Sequence, residues 1–130
     1  MGRAATPISV LLVEDEILVS NLIAEYLTAS GFAVHEATTA DEAWQYISSG
    51  AAIDVLFTDV NFPGGMTGAE LAARVRNMRP EMPIVYTSGR YKLSDIAPLV
   101  PRSLFMTKPF DPADVCALLT RLTAAHPSPA

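Results

Sequence analysis

Four short apolar runs recur along this chain, residues 8–13 (broken only by Ser9), Val55-Leu56-Phe57, Ile84-Val85-Tyr86 and Leu104-Phe105-Met106, and residues 32–37 read as a fifth short strand. Between them the apolar residues change to a spacing of three and four. The continuous run over 8–13 is expected to be a strand covered on both faces, and the intervening spacing is that of amphipathic helices. Strand and helix alternating in this way leave few solutions. Each crossover between parallel strands is right-handed and lays a helix over one face, so the chain is expected to form a parallel sheet in the order 2-1-3-4-5 with helices on both sides.

Local signals sharpen that expectation. Val19, Leu22, Ile23, Tyr26 and Leu27 form the first helical stripe, stopped at Gly31. Thr39 with Glu42 and Thr67 with Glu70 have the spacing of capping boxes. Ala43, Trp44 and Ile47 line the second helix until Ser48-Ser49-Gly50, and Leu71, Val75 and Met78 line the third, with Arg74, Arg76 and Arg79 towards its negative end. Over residues 91–101, Leu93, Ile96, Ala97 and Val100 suggest a helix, but Pro98 and Pro101 restrict it to a short or irregular one. Asp111 caps the last helix, Pro112 fits its first turn, and Val115, Leu118, Leu119 and Leu122 form its stripe.

At 130 residues this reads as one domain, with a lead-in over 1–7, a folded unit over 8–125 and a flexible tail over 126–130. A net charge of −5 and a pI near 4.8 argue against direct nucleic-acid binding, which rests on clustered Lys and Arg. No apolar run has membrane-spanning length and no secretory signal opens the chain, so a cytoplasmic protein without membrane insertion is expected. The single cysteine, Cys116, sits at a helix-packing spacing.

The polar residues that end the runs carry the chemistry. Glu14-Asp15 follow the first expected strand, Asp59 the third, Thr87-Ser88-Gly89 the fourth and Lys108-Pro109 the fifth. In the order 2-1-3-4-5 the first and third strands are neighbours where the chain reverses across the sheet, so Glu14, Asp15 and Asp59 meet in one crevice. Carboxylates so crowded either take up protons or recruit a cation, and Mg²⁺ prefers such hard oxygen donors. Asp carboxylate is also a nucleophile able to form an aspartyl-phosphate, with Lys108 and a hydroxyl at Thr87 to meet the phosphoryl oxygens. Thr87 is preferred to Ser88 because it ends the apolar run directly. Taken singly, Glu14 and Asp15 would pass for acids opening a helix, Asp59 for a turn residue and Lys108 for a solvated charge; their joint placement argues otherwise. Lys108 is one of two lysines in the chain.

Together, Val13-Glu14-Asp15-Glu16, Thr58-Asp59, Thr87-Ser88-Gly89 and Lys108-Pro109-Phe110 resemble, in order, the motifs of a two-component response regulator receiver domain of the stand-alone type, over about residues 8–123. The resemblance implies a flavodoxin-like, doubly wound fold. It makes Asp59 the phosphoacceptor, Asp15 a direct Mg²⁺ ligand, Glu14 an outer-shell acid and Asn61 a ligand through its backbone carbonyl. Lys108 then contacts the phosphoryl group, Thr87 is the switch hydroxyl, and Phe105 is the switch aromatic. A cis bond before Pro109 is also implied. The sequence departs from the pattern in a turn after Asp59 that is one residue longer, in Phe105 where tyrosine is commoner, and in the proline-broken residues 91–101.

The expected function is a phosphoacceptor switch rather than an enzyme acting on another substrate. It takes a phosphoryl group from a histidine kinase or phosphotransfer protein and acts on a downstream protein without an attached effector domain, as a monomer or weak dimer. The alternative is a protein-binding module that keeps the fold without the phosphorylation cycle. An aspartate-based phosphatase would need a second acid at position 61, where Asn61 stands. The small polar amide of Asn61 and the lack of a side chain at Gly89 imply an open approach for water and a short-lived acylphosphate.

Overall fold

A computed structural model of the chain describes residues 6–60, 62, 64–88, 100–108 and 110–124. Five strands, β1 (Ser9–Val13), β2 (Ala33–Ala37), β3 (Val55–Asp59), β4 (Ile84–Ser88) and β5 (Ser103–Thr107), pair in parallel in the order β2-β1-β3-β4-β5. Four helices accompany them among the described residues: α1 (Ile17–Ala29), α2 (Ala40–Ser48), α3 (Gly68–Met78) and α4 (Pro112–Ala124). Any helix within residues 91–99 lies outside the described residues, as do residues 126–130.

The strands' alternation divides the core into two layers. Leu11 and Val13 of β1 face one layer with Ala43 and Ile47 of α2 and Leu71 and Val75 of α3. Val10 and Leu12 face the other, with Ile23 and Leu27 of α1 and Val115 and Leu119 of α4. Each fully buried Leu, Ile or Val contributes about 2 kcal/mol relative to an exposed one, so both layers are needed to hold the sheet. Cys116 packs against the second layer.

The helix signals hold in most particulars. Thr67 Oγ1 accepts from the Glu70 amide at 3.0 Å while the Glu70 carboxylate accepts from the Thr67 amide at 3.1 Å, a complete capping box. At α2 only half of the box forms. Thr39 Oγ1 accepts from the Glu42 amide, but the Glu42 carboxylate takes the Thr38 amide and hydroxyl instead. Gly31 adopts φ +101° just beyond α1, and Asp111 Oδ1 accepts from the Ala113 amide at the start of α4.

Two expected helix faces need correction. In α1, Leu22 and Tyr26 are exposed (58% and 41%), whereas Ser20 and Ala24 are buried with Ile23 and Leu27. Apolar residues surround this helix, so its spacing allows more than one stripe. The small side chains at 20 and 24 are turned inward, where the Ser20 hydroxyl donates to Glu36 at 2.7 Å. In α3, Met78 is exposed and the buried face is completed by Gly68 and Ala72. Helix rotation follows close packing on the sheet, which small residues permit, rather than the largest apolar side chains.

Candidate functional site at the carboxyl edge of the sheet

Backbone bonds beyond the strand ends hold the polar residues in place. The Glu14 amide donates to the Ala37 carbonyl at 3.0 Å, the Val60 amide to Thr87 at 3.0 Å and the Lys108 amide to Ser88 at 2.9 Å, so each strand's pairing runs on into the loop that bears the side chain. The start of α3 is seated directly on β3. The Gly68 amide donates to the Val60 carbonyl at 2.8 Å, and a Cβ on Gly68 would fall 1.8 Å from the Asp59 carbonyl oxygen, so only glycine fits. The turn between them uses Gly64 and Gly65 at φ +70° and +62°.

Lys108 Nζ donates to Glu14 Oε1 at 2.7 Å and to Asp59 Oδ2 at 3.0 Å. The second Glu14 oxygen accepts from the Glu16 amide at 3.1 Å. Burial raises the Glu14 carboxyl above the ordinary range, against the opposing pull of Lys108. Burial alone would lower Lys108, but its bonds to Glu14 and Asp59 outweigh that and hold its ammonium above the usual lysine value. One oxygen from each of Glu14, Asp15 and Asp59 lies within 4.8 Å of the others. Three carboxylates thus face one ammonium, and Asp15 is exposed and in no ion pair among the described residues. Such hard oxygen donors with unneutralised negative charge suit Mg²⁺.

Glu14, Asp15, Asp59 and Lys108 are therefore brought together from the ends of three strands. Thr87 lies beside them, opposite Asp59 in the β3–β4 register and fully buried with Ser88. Phe105 lies opposite Tyr86, half-buried against the layer beneath α2 and α3. Asn61, Gly89 and Pro109, on which the expectations of a metal-binding carbonyl, an open approach and a cis bond rest, lie outside the described residues. His35 stacks flat on Tyr46 with ring centres 3.6 Å apart, a packing role. Sequence reasoning missed Asp41, whose carboxylate accepts from the Met66 amide at 3.2 Å beside the site. A contact across 25 residues leaves no local spacing to find it by.

Residues 10–120 match the family model for the response regulator receiver domain. Among solved structures, the chain is 33% identical to a response regulator receiver protein from Sinorhizobium medicae, with a TM-score of 0.84 over 92% of this chain and 96% of that one. Among curated proteins, it is 32% identical to the transcriptional regulatory protein TcrA of Mycobacterium tuberculosis over 98% of this chain and 52% of that protein. It is 24% identical to the DNA-binding transcriptional regulator NtrC of Azospirillum brasilense over 94% of this chain and 25% of that one. The chain spans about a quarter to a half of these curated relatives. No helix of the described residues is long and apolar enough to cross a membrane. With the sheet order, the acidic crevice and the match over residues 10–120 all in agreement, this chain belongs to the response regulator receiver domain family.

Proposed function

We propose that Asp59 accepts a phosphoryl group from the phosphohistidine of a histidine kinase or phosphotransfer protein, making the domain a signalling switch that catalyses only its own phosphorylation and dephosphorylation. The observation that carries this reading is Lys108 Nζ, held between Glu14 and Asp59 at the end of β3. An Asp59 oxygen attacks phosphorus, an O–P bond forms as the N–P bond breaks, and the imidazole nitrogen leaves with the electron pair. Lys108 is placed to stay with the negative charge as it moves from the carboxylate to the phosphoryl oxygens, and Thr87 supplies a hydroxyl to one of them. Asp15, Asp59 and the Asn61 carbonyl would hold Mg²⁺, with Glu14 behind them. The metal supplies charge neutralisation for the transferring group.

The output follows from the same edge. A phosphoryl group on Asp59 adds charge and acceptor oxygens beside Thr87; Thr87 moves inward, Phe105 fills the vacated space, and the surface around β4 and β5 changes for a protein partner to read. The test is labelling by a small phosphodonor such as acetyl phosphate. The parent should label only with Mg²⁺, and Asp59→Asn not at all. Labelling retained in Asp59→Asn would displace Asp59 from the role, and no labelling of the parent would favour a binding module without the cycle.

A further inference from the structure

The loop after Asp59 is anchored from an unexpected direction. Asp41, an exposed residue in the first turn of α2, accepts the amide of buried Met66 through Oδ2 at 3.2 Å. Its partner turn is shaped for this approach. A Cβ on Gly65 would lie 2.6 Å from the same Oδ2 and push the carboxylate aside, and φ +62° favours glycine, so the present contact goes with glycine at this position. The Gly68-to-Val60 bond fixes the far end of this turn against the end of β3. Two adjacent glycines give that turn little stiffness of its own.

We infer that Asp41 is a positioning residue for the phosphoacceptor site: its carboxylate pins the Gly64–Gly65–Met66 turn, which leads directly into Gly68, the residue seated on the backbone of Asp59 and Val60. This rests on the reading above, in which Asp59, the residue beneath Gly68, is phosphoacceptor and metal ligand. Partners that orient metal ligands without touching the metal commonly govern its affinity. Asp41 also makes α2, which carries none of the site's reacting groups, a lever on the site.

Two measurements on the parent, Asp41→Ala and Asp41→Asn test it: hydrogen exchange at the Met66 amide in metal-free protein, and Mg²⁺ affinity by calorimetry. Asp41→Ala should speed exchange at Met66 and raise the Mg²⁺ Kd about tenfold, while Asp41→Asn, whose amide oxygen still accepts the bond, stays within about twofold of the parent. Melting temperatures should move little, because position 41 is exposed. Parental exchange and parental Mg²⁺ affinity in Asp41→Ala would overturn the inference. Equal losses in both variants would overturn it too, by assigning the effect to charge rather than to the bond. A parent that binds no Mg²⁺ overturns the phosphoacceptor reading instead, and exchange at Met66, which needs no metal, tells the two failures apart.

Discussion

Arg76 and Lys108 are both cations drawn against the sheet, at opposite ends of its strands, and their partners differ in kind. The Arg76 guanidinium donates to the carbonyls of Pro101, Arg79, Pro80, Met82 and Arg102 at 2.6–3.4 Å. These belong to the two segments that lead into β4 and β5. Burial, and then the neighbouring Arg102 charge, lowers its pKa. No carboxylate faces it among those bonds. Lys108, at the carboxyl end of β5, meets two carboxylates and has a third close by. A fork whose bonds go to the backbone carbonyls of two connections is a bracket that braces them together. A cluster with more negative charge than its lysine can neutralise keeps capacity for a cation.

Removing the bracket should have the largest effect. Arg76→Ala leaves the partly buried Arg79 and Met82 carbonyls without this donor, along with three exposed ones that water can reach, and should cost about 2 kcal/mol in urea unfolding. Arg76→Lys should recover less than half, since an ammonium cannot span the same fork. Mg²⁺ binding by the folded protein should be unchanged. If Arg76→Ala unfolds with the parent, the bracket is illusory; if it loses Mg²⁺ affinity, the two edges are not separate in function.

A smaller effect is expected at the acidic edge. With Mg²⁺ at ten times its Kd, the parent should gain about 1.4 kcal/mol of stability, and Asp15→Asn should lose most of that gain. Without metal, Asp15→Asn should be at least as stable as the parent, because one of three crowded carboxylates has gone. Melts with and without Mg²⁺ measure both. A full Mg²⁺ response in Asp15→Asn would remove that residue from the metal site.

The smallest effect lies at high pH. Burial raises Tyr86, and Lys108 is raised by its acid partners, so both folded-state values exceed the unfolded ones. A raised folded value gives stability that is complete below the unfolded pKa, about 10 for both groups, and is lost as pH rises through the folded value. Stability should therefore hold to about pH 9.5 and fall above it. Tyr86→Phe removes the hydroxyl that accepts the Val100 amide at 3.4 Å and should cost about 1 kcal/mol at neutral pH. Its alkaline decline should be shallower. A decline identical to the parent's would leave Lys108 as its source.

What was legible in the chain was what local patterning controls. Short apolar runs ending in Glu14, Asp59 and Thr87 announce buried strands with polar lips, because a strand covered on both faces tolerates little else, whereas the run before Lys108 is the edge strand β5 and leaves Leu104 exposed. Thr67 and Glu70 announce their helix start because both partners lie within one turn. The alternation of strand and helix then restricts the sheet order through the handedness of crossovers, and the acids of β1 and β3 become neighbours.

Packing decided the rest. Which side of α1 turns inward depends on how closely Ser20 and Ala24 allow it to approach its neighbours, and a helix apolar nearly all round does not reveal that choice. The carbonyls that Arg76 gathers come from two connections that meet only once β4 and β5 are paired. Asp41 finds Met66 across 25 residues, and Lys108 finds Glu14 across 94. The sequence by itself determined which residues arrive at the carboxyl edge, since their spacing is set within single strands and turns. Tertiary structure alone decided how they pair there, because hydrogen bonds and ion pairs depend on distances of a few ångström that local periodicity does not encode.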